Sequence, residues 1–416
     1  MKNNRYIILN FLLIIFLSLI VSCDNKKNTY PNNIIPVESM VGNYKILNIS
    51  DYSSEIKYIP LETNDSVLVS QISHICYENN KILIVDITSS NTTNCYLFDD
   101  NGKFIRKIGQ RGQGPNDYLL IVKTLIYNNY IFLVDYHKLL IYDINGNIIK
   151  NINLRSSEIF EKYYYSWFEI APLKQDTFVM NIATINGDYP QAILFEISKS
   201  EARILKEYPN YVKLDKPSPV INSDELGIMY LFKDNVVIYK GMNDTIFSID
   251  KNMEISDKFI FEMGKYKLPL SFYQVREGFD GLDNSISPLN ILESSDYLFF
   301  RFSFGNHAPE PFEYETFNGR KVVSKTVNGV FEKRTGQLTL MRQPLKGKLG
   351  FKNDIDNGPV IWPHYISSSN EMITYISVED FINCYNSLDT KSQKITEITN
   401  RISLDDNPIV IISKLK

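Results

Sequence analysis

The sequence predicts an all-β fold built from repeated units of four antiparallel strands, and three observations support this. From about residue 44 onwards, short apolar runs alternate with clusters of Asn, Asp, Gly and Ser, the pattern of strands joined by tight turns. The chain holds 27 Tyr and 24 Phe, and aromatic residues favour strands. Part of the chain also repeats itself, which indicates an architecture of stacked units.

The repeat is clearest between residues 79–106 and residues 128–150. Both begin with Asn-Asn and a hydrophobic strand, and Asp86 of the first aligns with Asp135 of the second. A turn, a strand ending in Phe or Tyr plus Asp, an Asn-Gly pair and another strand then follow in each. We expect each Asn-Gly to form a type I′ hairpin turn, which needs positive φ twice. A four-stranded unit of about 40–50 residues is the period of a β-propeller blade.

Four stretches of the chain resemble a family of six-bladed β-propeller lipoproteins of Gram-negative bacteria, distant relatives of NHL-repeat propellers. The stretches are YIPLET (58–63), FDDNGKFIRKIGQRGQGPNDY (98–118), NDIDNG with WP (353–363) and DDNPIVIISKLK (405–416). The resemblance covers about residues 45–416 and is loose across 210–340. It implies six four-stranded antiparallel blades. Strands read at 44–50, 55–61 and 408–415 predict that the two ends of the chain close the ring in one blade, since an unpaired terminal blade would expose sheet edges.

The glycine-rich stretch IGQRGQGPNDY (108–118) does not match a phosphate-binding loop. Its glycines run G-x-x-G-x-G, and an apolar segment without a helical polar face follows, whereas a dinucleotide loop needs G-x-G-x-x-G before a helix. The resemblance implies a link from the outer strand of one blade to the inner strand of the next. Arg111 and Asp117 would then lie near the channel mouth as ligand-binding candidates. The alternative is that Arg111 only pairs with a neighbouring carboxylate.

The N-terminus reads as a targeting segment. Basic Lys2 and Arg5 precede an apolar run over 7–21, which is short for a membrane-spanning helix. The run ends in Ile-Val-Ser-Cys23, which resembles the lipobox of bacterial lipoproteins, and this resemblance implies cleavage before Cys23 and its lipidation. An ordinary signal peptide or an uncleaved anchor is the alternative. We therefore expect a signal peptide (1–22), a lipidated tether (23–43) and a propeller domain (44–416).

The net charge bears on the class of partner, and the cysteine content bears on disulfide bonding. The net charge is −4, with no basic block outside the N-terminal segment, which argues against nucleic acid. Besides Cys23, three widely spaced cysteines remain, an odd number that is not a disulfide framework. We expect Cys76, Cys95 and Cys384 to be buried, inert thiols and the domain to be monomeric.

The sequence holds no recognised catalytic motif. The four histidines are scattered, and no HExxH, G-x-S-x-G or sialidase-type box is present. The most site-like stretch is NDIDNGPVIWPH (353–364), which supplies Asp354, Asp356, Trp362 and His364 as ligand-binding candidates. We expect no cofactor; a Ca²⁺ site on the Asx oxygens is the alternative, although the same residues suit a tight turn. Trp362 could stack on a sugar or fill a gap between blades.

These observations favour a membrane-anchored envelope protein, periplasm-facing or on the outer-membrane surface, that binds a protein or glycan. The function is an analogy with NHL-type propellers, because a fold does not fix a function. One alternative is a lactonase-, lyase- or hydrolase-like enzyme acting in the central channel, and another is a structural subunit of a larger complex. Carboxylates or a histidine that converge on one point of the channel would favour the enzyme over the binding protein.

Overall fold

The computed structural model describes residues 32–416 apart from 89, 91, 164–167, 183–188, 199–200, 213–226, 242, 270–282 and 317–318. The chain forms a β-propeller of six four-stranded antiparallel sheets, the blades, so the predicted fold class is confirmed. Within each blade the first strand lies innermost, at the axis of the ring, and the fourth lies at the rim. Cys23 and the apolar run 7–21 lie outside the described residues.

The first strands of the chain lie outside the regular blade order: β1 (Ile34–Ile35), β2 (Tyr44–Lys45) and β3 (Ser53–Pro60). Blade 1 consists of β4 (Ile72–Glu78), β5 (Lys81–Ile87), β6 (Thr93–Asp99) and β7 (Phe104–Lys107). Blade 2 consists of β8 (Ile121–Tyr127), β9 (Tyr130–Asp135), β10 (Lys138–Asp143) and β11 (Ile148–Asn153). Blade 3 consists of β12 (Phe168–Lys174), β13 (Thr177–Ile182), β14 (Ala192–Ser198) and β15 (Glu201–Tyr208).

The remaining blades complete the ring. Blade 4 consists of β16 (Ile228–Phe232), β17 (Asn235–Tyr239), β18 (Thr245–Ile249) and β19 (Ile255–Phe261). Blade 5 consists of β20 (Ser287–Glu293), β21 (Tyr297–Ser303), β24 (Thr326–Glu332) and β25 (Gln337–Met341), with a separate hairpin, β22 (Phe312–Glu315) and β23 (Lys321–Ser324), inserted after β21. Blade 6 consists of β26 (Tyr365–Ile366), β27 (Glu371–Ile376), β28 (Ile409–Leu415) and β3.

Blade 6 joins the two ends of the chain. The C-terminal β28 pairs with β27 on one side and with the N-terminal β3 on the other, so β3 is the outermost strand of the last blade. Ile411 lies opposite Tyr58 in this register. The predicted closure is therefore confirmed for 55–61 and 408–415. The predicted strand at 44–50 is shorter: only β2 forms, and it pairs with β25 of blade 5.

Part of the predicted tether is docked on the ring. Strand β1 pairs in parallel with the rim strand β19 of blade 4, and β2 does the same with β25 of blade 5. Between them, the short helix α1 (Val37–Met40) buries Val37 completely, as β1 buries Ile35. These apolar side chains anchor the segment, so residues 34–45 lie against the rim instead of extending away from it.

Helices occupy the connections between strands. They are α1, α2 (Glu158–Tyr163), α3 (Val378–Ser387) and α4 (Gln393–Thr399), with 3₁₀ turns at Ile49–Asp51, Leu154–Ser156, Gly264–Tyr266 and Gly305–His307. Helices α3 and α4 are inserted between β27 and β28 and bury Phe381 and Ile395. In the described part of the chain, every helix falls short of the length and hydrophobicity that a bilayer-crossing segment needs.

The turn types differ from the prediction. Positive φ occurs twice in succession at Asn79 and Asn80, the pair that joins the first two strands of blade 1, so this pair forms the I′-like turn. In the Asn-Gly turn of blade 1, only Gly102 has positive φ, and Asp99 accepts hydrogen bonds from Asn101 and Lys103 N–H groups. The register of β6 and β7 also shifts there. A type I turn with a glycine bulge explains all three features.

The repeated Asp residues have a shared role. Asp86 Oδ1 accepts hydrogen bonds from the backbone N–H groups of Ser70 (2.7 Å) and Gln71 (3.1 Å), just before the innermost strand of its blade. Asp135 likewise accepts the N–H of Leu119 (2.9 Å) before β8. Both aspartates are about 1% exposed. The repeat thus fixes each incoming chain segment at the axis of the ring.

Candidate functional site

The innermost strands enclose an axial channel whose first part is a cavity of about 460 Å³, here called the upper chamber. Its walls come mainly from the innermost strands of all six blades. Five blades each contribute a polar side chain. These are His74 (blade 1), Lys123 (blade 2), Glu169 (blade 3), Asn290 (blade 5) and His364 (blade 6).

Lys123 ties three blades together across the upper chamber. Its Nζ donates a 2.8 Å hydrogen bond to Glu169 Oε1 and another of 2.8 Å to the backbone carbonyl of Met229 in blade 4. The two side chains are about one-fifth exposed, so the ion pair is partly shielded from water. Its charges cancel. Glu169 Oε2 is buried without a protein partner and can accept a hydrogen bond from a ligand O–H or N–H group.

Two neutral histidines face the same space. Enclosure by the channel walls lowers the pKa of His74 to about 4, and the charge of Lys123 acts in the same direction. Enclosure also lowers the pKa of His364 to about 4, with a further contribution from Arg301. His364 Nδ1 lies 2.9 Å from Thr374 Oγ1, and its ring centroid lies 4.6 Å from that of Tyr375. At pH 7 each ring is an uncharged hydrogen-bonding group.

A second cavity of about 450 Å³, the lower chamber, lies where the innermost strands end. The turns that follow these strands line it, including those at Asn79, Asn128 and Lys233. The two chambers share five wall residues, and three of these are the aliphatic side chains of blades 2, 4 and 6. The shared residues are Ile126, Leu231, Glu293, Tyr365 and Ile366. The polar upper chamber and the lower chamber thus meet at these five residues.

A buried ionic cluster lies in the wall of the lower chamber. The side chain of Glu293 is fully buried, and it accepts 2.6 Å hydrogen bonds from Lys258 and Lys333 and one of 2.9 Å from the Tyr230 hydroxyl. Both ammonium groups also lie on the ring of Phe232, at 4.2 Å and 4.1 Å from its centroid. Because the carboxylate and the ring satisfy these lysines, the cluster serves to join blades 4 and 5.

The glycine-rich stretch is a linker, as the resemblance implied, and it runs from β7 to β8. Asp117 folds back into it and accepts hydrogen bonds from Gln110 Nε2 (2.9 Å) and the N–H of Gly114 (2.9 Å). Both hydrogen bonds stabilise the charged carboxylate and hold the pKa of Asp117 below its usual value. The bond from Gln110 has the larger effect and the bond from Gly114 the smaller one. The negatively charged group that lies beside these glycines is therefore the carboxylate of Asp117.

Arg111 and Asp117 do not line the upper chamber. Arg111 is exposed, and its Nε donates to the backbone carbonyl of Leu119 at 3.3 Å. Within the described residues, Arg111 forms no ion pair, so the alternative of a carboxylate partner is not what the structure shows either. Both side chains make their hydrogen bonds within the linker.

The stretch 353–364 divides between turn, core and channel. Asp354 accepts hydrogen bonds from Ser50 N (3.0 Å) and Oγ (2.5 Å). Asp356 is 8% exposed and accepts from the Tyr58 hydroxyl (2.9 Å) of the rim strand β3 and from Asn353 (2.7 Å). Both aspartates therefore stabilise the connection between blades 5 and 6. Across the described residues, no group of three or more His, Cys, Asp or Glu side chains is arranged to hold a metal ion.

Trp362 is a core residue. It is 6% exposed, stacks on Phe351 with 5.5 Å between ring centroids, and meets Phe299 edge-on at 5.9 Å. Of the six ligand-binding candidates, only His364 lines the upper chamber. Cys76 and Cys95 are free and buried, as predicted, while Cys384 is only partly buried. Burial raises the pKa of Cys76 to about 12.

The sequence prediction missed His74, Lys123, Glu169 and Asn290. One signal was available for two of them: His74 and Lys123 are separated by 49 residues, the same offset as Asp86 and Asp135. Extending the repeat a few residues towards the N-terminus would have aligned them on the innermost strands. The same register shift precedes Asn290 in β20 as precedes His74 in β4 and Lys123 in β8, but the sequence around Glu169 and Asn290 lacks the repeated motif that would align them.

Fold and channel together define a six-bladed propeller with a closed ring and a polar axial chamber. The chain belongs to the family described as a domain of unknown function, DUF4934, whose model matches residues 32–414. The match begins near the docked segment that precedes the first blade. The comparison with curated proteins gave no match.

Several solved structures are similar to this chain. A Bacteroides fragilis protein described as exported is 20% identical, with a TM-score of 0.64 over 92% of this chain and 99% of that one. An inactive virginiamycin B lyase from Staphylococcus aureus with quinupristin is 12% identical, with a TM-score of 0.41 over 86% and 99%. The extracellular domain of a one-component system from B. thetaiotaomicron is 12% identical, with a TM-score of 0.35 over 77% and 38%. At these identities the likeness concerns the fold alone.

Proposed function

We propose that this protein is an exported, membrane-anchored binding protein that takes part of a protein or glycan ligand into its upper chamber. The observation that carries the proposal is the polar lining, to which all six blades contribute and which includes His74, Lys123, Glu169, Asn290 and His364 from five of them. Two neutral imidazoles, an amide and the free Glu169 Oε2 offer both donors and acceptors to a polar ligand. The cavity of about 460 Å³ is large enough for a sugar unit or an amino-acid residue.

The envelope location rests on the N-terminal segment. A basic start, an apolar run and Cys23 support export and lipid anchoring on the periplasm-facing or outer surface of a membrane. The Bacteroides fragilis relative is described as exported, which agrees with this location. Because residues 34–45 are docked on the rim, only the stretch before them can act as the tether.

Binding by the purified protein tests the proposal. We expect a screen of envelope glycans and peptides to yield a ligand whose affinity falls when His74 or His364 is replaced by Ala. The loss of one polar contact corresponds to about 1–2 kcal/mol, a factor of roughly 5 to 30 in affinity. His307→Ala is the matched control, because His307 lies outside both chambers and packs on Tyr266. A ligand whose affinity responds to none of the chamber variants would contradict the proposed site.

A second candidate, a channel enzyme, is favoured by the placement of His74, His364 and Glu169 around one chamber. A neutral imidazole can accept a proton, although pKa values of about 4 make both histidines weak bases at pH 7. Turnover of lactones, glycans or phosphoesters by the purified protein, lost in His74→Ala or His364→Ala, would establish the enzyme. Binding without turnover would support the binding protein.

A further inference from the structure

A row of three polar residues crosses blade 5 beside the upper chamber. Arg301 on β21 lies directly opposite Asn290 on the innermost strand β20 and directly opposite Asn328 on the third strand β24. Residues paired in this way place their side chains on the same face of a sheet. Asn290 is exposed and lines the chamber, whereas Asn328 is fully buried. The row therefore leads from the chamber into the blade.

This row has unsatisfied hydrogen-bonding groups. Arg301 Nε is buried and has no hydrogen-bond partner, and the same holds for both amide atoms of Asn328. Within the described part of the chain, Arg301 forms no ion pair with a carboxylate, unlike Arg203 and Arg334 on the surface. Buried polar groups without partners are costly, and a buried charge without one is more so. Such groups are available to a bound ligand as hydrogen-bond partners.

Arg301 also acts on the chamber itself. Burial lowers its pKa, but an arginine remains protonated at neutral pH. Its charge reaches His364, which lines the chamber from blade 6. The hydroxyl of Tyr375, which lies near Arg301, donates a 2.8 Å hydrogen bond to the carbonyl of Ile72.

Near the upper end of the chamber, the positive charge of Arg301 has no compensating partner among the described residues. Lys123 and Glu169 neutralise each other, and His74 and His364 are uncharged at pH 7. Arg301 remains. A planar guanidinium fork pairs best with the two oxygens of an oxyanion, and an amide N–H₂ can complete the set of donors.

We propose that Arg301, together with Asn290 and Asn328, forms a subsite for a singly charged oxyanion, the carboxylate or sulfate group of the ligand that enters the upper chamber. This inference rests on the proposed function and adds the chemical class of the ligand: an acidic sugar, a sulfated sugar or a peptide carboxylate. The remaining polar lining of the chamber then contacts the uncharged part of the ligand.

Two measurements test the subsite. In the first, the Arg301 Nε–H resonance is followed by ¹H–¹⁵N NMR while sodium acetate or sodium sulfate is added, and the resonance is identified by its absence in Arg301→Gln. In the second, calorimetry compares glucuronate with its neutral counterpart glucuronamide. We expect the resonance to shift with either anion, and glucuronate to bind at least about tenfold more tightly than glucuronamide.

Matched variants show whether a loss of binding comes from the lost charge or from a disturbed fold. Arg301→Gln should abolish the preference for glucuronate, and Arg301→Lys should restore only part of it, because an ammonium lacks the guanidinium fork. Arg334→Gln, an exposed arginine in the same blade, should leave binding unchanged. If Arg301→Gln fails to fold, Arg301→Lys, which also lacks the Nε–H group, identifies the resonance, and the wild-type comparison of glucuronate with glucuronamide remains decisive because these probes differ in charge.

The outcomes distinguish this inference from the proposed function. An Nε–H resonance unmoved by either anion, together with equal affinity for glucuronate and glucuronamide, overturns the subsite. A chamber ligand that is neutral and insensitive to Arg301→Gln overturns it while supporting the proposed function. Anions that shift the resonance in a protein for which no larger ligand uses the chamber support the subsite and contradict the proposed function.

Discussion

The hydroxyl of Tyr365 in blade 6 donates a 2.7 Å hydrogen bond to the carboxylate of Glu78 in blade 1, across the seam where the last blade meets the first. The same arrangement occurs between blades 4 and 5, where Tyr230 donates to Glu293 at 2.9 Å. In both pairs the tyrosine lies near the middle of the channel wall, and the glutamate is the last residue of an innermost strand. The ring therefore uses the same inter-blade bond at two seams.

The two tyrosines should differ in their effect on stability. In Tyr365→Phe, Glu78 keeps only its bonds from Ser368, so we expect the free energy of unfolding to fall by about 1–3 kcal/mol. In Tyr230→Phe, Glu293 keeps two ammonium partners, so the decrease should be smaller. Urea denaturation of both variants measures the difference. Equal effects would show that the lysines do not compensate for the lost hydroxyl.

Removal of the C-terminal strand should abolish cooperative folding. Deleting residues 405–416 removes β28, which leaves β3 without its neighbour and opens the ring at blade 6. Deleting only Lys416 is the control, because every pairing of β28 remains. Circular dichroism and thermal scans report the outcome. A 405–416 deletion with the wild-type midpoint would contradict closure by the two chain ends.

Acidification should destabilise the protein through its channel histidines. The pKa values of His74 and His364 are about 4 in the folded protein and about 6.5 when unfolded. Between these values the unfolded chain binds more protons, so stability is lost as the pH falls from about 6.5 towards 4. The double variant His74→Gln/His364→Gln should show a shallower dependence than wild type in urea titrations between pH 7 and 5. His307→Gln is the control, and an unchanged slope in the double variant would contradict the prediction.

The glycine-rich linker should be sensitive to added side chains because of Asp117. A Cβ at Gly114 would lie 2.7 Å from Asp117 Oδ2, and one at Gly112 would collide with the same atom. We expect Gly112→Ala to lower the free energy of unfolding by about 1 kcal/mol, because the carboxylate must move away from its donors. The cost should shrink in an Asp117→Ala background, which a double-mutant cycle measures. Strict additivity of the two changes would refute this coupling.

The lipid anchor has a direct test. We expect Cys23→Ser to leave the protein unacylated and to release it from membranes, because the sulfur that would carry the acyl chains is absent. Membrane fractionation and intact-mass measurement report both effects. Serine replacement of Cys384, which is partly buried, is the control. A Cys23→Ser protein that stays in the membrane with its signal segment attached would disprove the lipobox interpretation.

The sequence by itself determined the four-stranded unit of the two clearest blades, because strands and turns are local features, whereas the number of six blades came from the resemblance. The period-two apolar runs, the Asn-Asn and Asn-Gly turns and the aligned Asp86 and Asp135 all act between residues close in the chain. Even there, the prediction was wrong about which turn has two successive residues with positive φ. Asp99 and Asp143 accept hydrogen bonds from the backbone of the Asn-Gly turns and so favour another turn type.

Only the tertiary structure decided which polar residues form a site. The Asx, Gly and Trp residues of 353–364 have the composition of a binding loop, but neighbours distant in sequence, Tyr58 and Phe299, bury Asp356 and Trp362. Conversely, His74 and His364 are 290 residues apart and share one chamber because the ring closes through β3 and β28. Burial and proximity depend on which blades become neighbours, and that is settled by long-range strand pairing and by packing between blades.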